Sequence, residues 1–493
     1  MPDITPLVLH SLALTLETLA ISMPLGTALA WLLVRSDLPG RRAGLWIMGL
    51  MLFLPLFLQA SAWQAGFGQE GWYSRGGSGQ PWLSGWYAAL WVHSLAAIPW
   101  IVLITGLGLR TVEPALEEQA LLDGTPWQVF RRVTLPACWP ALGLAAAWVA
   151  MLTAGEMTVT SIFFVRTYAE ELFSQFALYD QTASAVKALA PGILGTMVLL
   201  GLAIYCCVRL ARPDRPLNLR PSRIAALGAW RWPLAIGLVV VLILLAGVPL
   251  GNLLYKAGVV VVQADVGRVR TWSAGKCLTT ILKAPIRCQK ECFWSFLIGV
   301  MAATTALAAA VPLGWIARRS RRLWILVMLV AITCMALPGP LLGLAIVGLL
   351  NRPEVPGLNW LYGHSILGPW LVFTIRALGP AVLVMWHAVR TIPQVMLDSA
   401  ATEGCSPLGQ LWHIVLPQRR SALGVAWLIG LALALGDFTA TSLVVPPGVE
   451  TLSIHIFNLV HYGVEDQVAG ICLALFAAFS LLAAVVAALA RRL

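Results

Sequence analysis

Two stretches of the chain read as variants of one text: EEQALLDGTPWQVFRRVTLP, from Glu117 to Pro136, and DSAATEGCSPLGQLWHIVLP, from Asp398 to Pro417. Each runs from an acid through small or polar residues to an acid-glycine pair, then through a helical stretch to Leu-Pro. Gly124 and Gly404 are 280 positions apart and Pro136 and Pro417 are 281 apart, so the first copy is one residue shorter between its glycine and its proline. The likeness continues at the 281 offset, where Gly155-Glu156-Met157-Thr158-Val159-Thr160-Ser161 matches Gly436-Asp437-Phe438-Thr439-Ala440-Thr441-Ser442. Two tandem halves of like topology follow from a repeat of this kind.

The residue types within the repeat have a physical reading. A short helix with Ala120, or with Ala400 and Ala401, on its contact face can end at Gly124 or Gly404, where a positive φ turns the chain into a second helix. Proline is tolerated in the first turn of a helix, so Leu135-Pro136 and Leu416-Pro417 suit the entry into a following span. Each stretch is therefore expected to form a helix-turn-helix elbow. A connector with no partner is the plain alternative for one copy, but two copies at matched positions favour a docking element.

The rest of the chain places these elbows at a membrane. Of 493 residues 59% are hydrophobic and 11% charged, where a soluble globular protein carries about 25% charged residues. The mean hydropathy is +0.82, and apolar runs of about 20 residues read as membrane-crossing helices. Five runs fall in the first half, near 7–33, 44–64, 87–109, 138–155 and 189–210. Six follow the Arg/Pro-rich stretch from Arg212 to Arg231, near 232–255, 293–317, 323–350, 366–389, 420–440 and 469–490. The second half thus opens with an extra span, and Pro312-Leu313-Gly314 aligns with Pro24-Leu25-Gly26 of the first.

Alternate threading gathers Arg35, Arg41, Arg42, Arg131, Arg132, the arginines from Arg209 to Arg231, Arg318, Arg319, Arg321, Arg322, Arg419, Arg420, Arg491 and Arg492 on one side. By the positive-inside rule that side is cytoplasmic and holds both elbows, with the N-terminus outside. The loop from Lys256 to Lys290 is the main exception, with seven Lys/Arg on the outer side. The first run has no positively charged lead-in and no small-residue cleavage site, so it is expected to stay as a membrane helix. The net charge of +11 comes from these short segments, without the interleaved aromatics of a nucleic-acid surface. The nine cysteines form no CxxC pair, which argues against a metal or redox cluster.

The two elbows resemble the EAA coupling motif of binding-protein-dependent ABC importer permeases of the type I fold, in outline E-A-A-x-x-x-G followed after about a dozen residues by L-P. The resemblance puts the motif's acid on Glu118 and Asp398, its second alanine on Ala120 and Ala400, its glycine on Gly124 and Gly404, and its Leu-Pro on Leu135-Pro136 and Leu416-Pro417. Gln119 and Ser399 replace the first alanine, and Asp398 the glutamate. Permeases with both halves in one chain resemble the iron(III) and thiamine importers. The resemblance implies an all-α polytopic membrane protein with two tandem type I permease repeats and about eleven, at most twelve, spans. The halves would be residues 1–211 and 231–493, joined by a cytoplasmic linker at 212–230. It further implies the bacterial inner membrane, two ATPase subunits docked at the elbows, an external solute-binding protein, and iron(III) as the solute, with thiamine second. No cofactor is expected on this chain; ATP and Mg would sit on the partner ATPase.

Glu156 and Asp437 lie just past apolar helices at equivalent positions, each followed by threonines. An ionisable group at a membrane span is a functional candidate: both could line the translocation path, or cap the short helix that follows. Arg376, inside a span, could meet solute or pair with an acid. His455, His461, Glu465 and Asp466 cluster in the last outer loop and could hold a metal. Their spacing fits a surface for a solute-binding protein better, as do Tyr168, Glu170 and Glu171 in the first half. There is no G-x-x-x-x-G-K-[ST], no H-E-x-x-H and no G-x-S-x-G, so ATP hydrolysis is expected in another subunit and the chain is not expected to be an enzyme. An ion-coupled secondary transporter with Glu156 and Asp437 as cation sites is the alternative from another class; it has no need of the elbows.

Overall fold

The computed structural model describes residues 4–68, 71–73, 81–178, 182–210, 225–264, 267–352, 354–461 and 465–490. Most of the linker and the Arg491-Arg492 pair lie outside the described residues. Among the described residues seven helices are long and apolar enough to cross a membrane, and four bent helix pairs bring the total to as many as eleven. These coincide with the eleven runs read from the sequence. What the runs did not show is that two of them, near 44–64 and 323–350, are broken within the run, while the other two bent pairs join an elbow segment to its following span.

Proline sets the breaks. Arg41–Met51 and Leu56–Phe67 meet at 104°, and Arg321–Ala336 and Gly339–Leu350 at 102°. Pro55 and Pro338 occupy the position just before the second piece of each pair, both in extended geometry with ψ of 145° and 142°. Proline has no N–H for the helix ladder, and its ring pushes the preceding residue out of the helical region. A break at membrane depth frees carbonyls that need partners. Gln59 Nε2 donates to Leu54 O at 3.2 Å, and Arg376 Nη1 donates to Leu337 O at 2.7 Å.

The chain forms two compact units: Met1–Arg287 with Ile456–Phe476, and Cys288–His455 with Ala477–Leu493. This division differs from the expected one at the linker, because the extra span Gly228–Gly258 packs within the first unit. Leu238 meets Gly44, Asn252 Nδ2 donates to Ala62 O at 3.1 Å, and Trp72 Nε1 donates to Asn252 Oδ1 at 3.3 Å. The chain emerging from the linker is stapled by backbone bonds from Ala225 N to Arg35 O (2.7 Å) and Asp37 N to Ala225 O (3.1 Å).

In the first unit Thr5–Arg35 lies parallel to Gly85–Thr111, as the broken span between them requires. A Cβ on Gly26 would come within 2.6 Å of Ile101 Cγ2, so glycine is what lets these helices approach. In the second unit Gln289–Ala317 packs on Leu367–Arg390 in the same way, and a Cβ on Gly314 would lie 3.1 Å from the Met385 carbonyl carbon. The descending helices of each unit end immediately before an elbow.

Candidate coupling elbows

The first elbow consists of a helix, Pro114–Asp123, and a second segment, Pro126–Ala137, that bends by 64° into Trp139–Gly155. The second consists of Gln394–Thr402 and Pro407–Gln418, bent by 80° into Arg420–Gly436. Local chemistry is repeated at each step. Thr125 and Ser406 cap the second segments: Gln128 N donates to Thr125 Oγ1 (3.4 Å), with Thr125 N donating back to Gln128 Oε1 (2.9 Å), and Gly409 N donates to Ser406 Oγ (3.1 Å). Pro126 and Pro407 follow at the first helical position, where the missing N–H has no intrahelical acceptor anyway.

Each second segment then widens into a π turn, Phe130–Thr134 and Leu411–Val415, at the 281 offset. The closing prolines explain it. In an α-helix the rings of Pro136 and Pro417 would clash with the carbonyls of Arg132 and His413. One extra residue in the turn relieves the clash, and Leu135 N and Leu416 N reach back five residues to Phe130 O and Leu411 O. The Leu-Pro pair therefore forms the joint between elbow and span.

The two glycines differ. Gly404 has φ +81, and its N–H donates to Ala401 O (3.0 Å) while Cys405 N donates to Ala400 O (2.9 Å), a left-handed helix stop with both bonds made. Gly124 has φ −147 and ψ 162, extended backbone open to any residue. The expected positive φ is correct for Gly404 and wrong for Gly124. The first copy lacks the residue that Cys405 supplies, so its chain runs straight from the helix end into the Thr125 cap.

Among the motif residues, Glu118 and Asp398 are exposed, and Ala120 and Ala400 half-buried. The residue that sequence reasoning missed is the neighbouring Glu117. Its Oε2 accepts from Arg35 Nη1 at 2.9 Å, with both side chains nearly sealed from solvent, and its Oε1 accepts from Thr134 Oγ1 at 2.6 Å. Arg35 Nη2 also donates to Leu109 O. Four elements are thus clamped: the end of the first span, the end of the span before the elbow, and both arms of the elbow.

In the second half Arg318 Nη1 donates to Val389 O at 3.1 Å, the carbonyl matching Leu109 O. Its Nη2 donates to Ile392 O (3.2 Å) and Gln394 Oε1 (2.6 Å), and Gln394 Nε2 donates to Asp398 Oδ1 (2.8 Å). Burial pulls the Arg318 guanidinium down from its ordinary pKa, while the Asp398 carboxylate raises it. Gln410, at the position of Val129, ties the two arms by donating to Leu397 O at 3.1 Å. The signal for the first clamp was the doubled Glu117-Glu118, of which only Glu118 keeps the motif's spacing to its glycine and Glu117 is left over.

The paired acids past the elbows' spans act as caps. Glu156 accepts from Thr158 N (2.8 Å) and Val159 N (2.9 Å), and also from Thr158 Oγ1. Asp437 Oδ1 accepts from Ala440 N (3.1 Å), Thr441 N (3.2 Å) and Thr441 Oγ1 (3.1 Å). Its Oδ2 pairs with Arg376 Nε at 3.0 Å. Arg376 therefore closes the Leu337 break and neutralises Asp437 together. Among the described residues no lysine or arginine pairs with Glu156.

The profile of a family described as "Binding-protein-dependent transport system inner membrane component" matches residues 22–212 and again 310–493. This chain belongs to that family. Each match takes in one elbow and its flanking spans. Among similar proteins, the molybdenum transport system permease protein ModB of Escherichia coli (strain K12) is 28% identical over 214 residues, 41% of this chain and 93% of that protein. The putrescine transport system permease protein PotI of the same organism is 25% identical over 134 residues, 27% of this chain. The aligned stretch spans 47% of PotI's own length. The spermidine/putrescine transport system permease protein PotC is 28% identical over 87 residues, 18% of this chain and 33% of its own. Family and spans together make this a multi-pass inner membrane component.

Among the described residues of the last outer loop the histidines and acids each have their own contacts. His455 Nδ1 lies 3.4 Å from Glu450 Oε1, and both come with Glu291 within 4.8 Å of one another. His461 Nδ1 instead contacts Phe457 O at 2.9 Å, and Asp466 pairs with Lys276 at 3.3 Å. The side chain of Glu465 lies outside the described residues. Tyr168 is buried, accepting from Gly192 N at 3.1 Å through its hydroxyl, so it offers little to a partner. Phe164 does: it is 76% exposed and takes φ +56, a costly conformation for a side-chain-bearing residue.

Proposed function

We propose that this chain is the membrane permease of an ATP-driven, binding-protein-dependent importer, and that Pro114–Ala137 and Gln394–Gln418 are the docking elbows for two ATPase subunits. One observation carries the reading. The elbows repeat cap, π turn and Leu-Pro joint, each is clamped by an arginine to the span before it, and each presents apolar side chains outward. Trp127 and Leu408 occupy matched positions and are 67% and 66% exposed. An exposed apolar tip on a rigid, braced arm suits a part that receives a push and passes it on as a rigid body. ATP and Mg would be bound by the ATPase subunits, and a solute-binding protein would deliver cargo at the opposite face.

The ion-coupled alternative loses its footing here, since Glu156 and Asp437 are engaged as caps and Asp437 is neutralised. Glu156, without a cationic partner among the described residues, is the one we keep as a path-lining group. For the solute, iron(III) remains our reading from the two-halves-in-one-chain layout, with thiamine second; the names of the relatives add polyamines and molybdenum as competitors. Uptake of each, in cells carrying the chain with candidate ATPase and solute-binding proteins, separates them.

The docking test is co-purification with candidate ATPase subunits, wild type against Trp127→Ala with Leu408→Ala. Both side chains are exposed, so the membrane fold should survive. Loss of the ATPase with normal elution of the permease is the expected result. Equal recovery would make the elbows ordinary connectors.

A further inference from the structure

The loop that breaks the positive-inside pattern is folded. Three spans separate it from the first elbow, so it lies on the opposite side of the membrane. Backbone pairing of Val259–Ala264 with Gly267–Trp272 forms an antiparallel hairpin, and a helix, Ala274–Arg287, follows. The helix is anchored at the outer end of the span Gly228–Gly258. Lys276 Nζ donates to Val259 O (2.6 Å) and pairs with Asp466, and Cys277 Sγ approaches Leu254 O (3.8 Å). It is therefore held at the level where that span leaves the membrane.

At 3.6 residues per turn this helix has three faces. Cys277, Thr280 and Ala284 are buried against the protein, with Thr280 so close to Gly470 that a Cβ there would lie 2.7 Å from its Cγ2. Leu278, Leu282 and Ile286, spaced four apart, form a second face and are 58%, 63% and 69% exposed. Lys276, Lys283 and Arg287 lie on the third. Among the described residues no acid pairs with Lys283 or Arg287. The supporting span is itself exposed along Ile236, Val239, Val240, Ile243 and Leu254, the surface that lipid covers.

We propose that Ala274–Arg287 lies in the outer interface of the bilayer, with Leu278, Leu282 and Ile286 among acyl chains and Lys283 and Arg287 on the phosphates of anionic phospholipid. An apolar face beside a basic one, at the rim of a span, is the pattern of an interfacial helix. Anionic headgroups offer each free cation a counter-charge. The seven outward Lys/Arg are thereby reconciled with the topology, because part of that charge is held at the surface by lipid.

The test uses the full chain in nanodiscs of phosphatidylcholine alone or mixed with phosphatidylglycerol. In wild type, amide exchange across 278–287 should slow several-fold when phosphatidylglycerol is present; no change would overturn the proposal and needs no variant. Native mass spectrometry should show phosphatidylglycerol retained by wild type and lost from Lys283→Gln with Arg287→Gln, whose exposed positions leave the fold intact. Equal retention would overturn it. Competition by free glycerol 3-phosphate as effective as by lipid would remove the apolar face from the account and overturn it too. Unchanged lipid retention with weakened capture of the solute-binding protein would assign the face to that protein instead.

Discussion

Replacing Glu117 by glutamine keeps the side-chain volume and removes one charge from the first clamp. The ion pair spans 2.9 Å, and its side chains are 3% and 9% exposed. At an effective dielectric of about 20 the attraction between such charges is roughly 6 kcal/mol, offset in large part by the cost of taking both out of water. The relevant quantity is what remains when one partner is lost: a buried, uncompensated Arg35, at about 3–5 kcal/mol. Thr134 keeps an acceptor in the amide oxygen and Arg35 keeps Leu109 O, which favours the lower end. In detergent the apparent melting temperature of Glu117→Gln should fall by roughly 3–5 °C. Glu118→Gln, exposed on the same helix, should stay within the about 0.5 kcal/mol of an ordinary surface change. Arg35→Gln combined with Glu117→Gln should recover part of the loss, since no charge is left unpaired. A Glu117→Gln no less stable than Glu118→Gln, or a double variant worse than the sum of its singles, would refute the clamp.

The asymmetry of the glycines gives a second expectation: Gly404→Ala should cost about 1–2 kcal/mol for holding a side-chain-bearing residue at positive φ. Gly124→Ala, at a compatible φ but with its Cβ 3.2 Å from Gln128 Oε1, should stay within about 0.5 kcal/mol of wild type, and the two melting curves compared side by side check this. Arg376→Gln should destabilise the chain by about 3–5 kcal/mol by uncovering Asp437 and the Leu337 carbonyl, and Arg376→Gln with Asp437→Asn should lose less than the sum. Thr125→Ala should cost about 1 kcal/mol through loss of its cap and leave ATPase recovery largely intact, whereas Trp127→Ala should do the reverse. A Gly339→Ala variant should lose about 1–3 kcal/mol from overpacking, because its Cβ would fall on the Thr439 hydroxyl; equal stability would show that the broken span shifts freely there.

The elbows were legible because their chemistry is local. A Thr-Pro or Ser-Pro start, a glycine stop and a Leu-Pro joint each act over no more than about five residues, so their order in the chain is their order in space. The breaks at Pro55 and Pro338 were equally written in the sequence, but hydropathy averages over a window longer than the break and hides it. The acids past the elbows were found as positions and left open as roles. Whether a carboxylate caps, pairs or faces a path depends on what lies across from it, and Arg376 is 61 residues from Asp437.

The sequence by itself determined the membrane class, the eleven apolar runs, the duplication and the elbow at each copy's centre, since these rest on hydropathy and on contacts within a turn or two of helix. Tertiary structure decided which acid of the Glu117-Glu118 pair is buried and which arginine holds it. It also decided that the Gly228–Gly258 span joins the first unit, and that Ala274–Arg287 shows three faces where periodicity alone shows an apolar and a polar one. These depend on pairings between residues 82 or 190 positions apart. Such a pairing is fixed by where folded spans bring side chains together, and no local propensity encodes it.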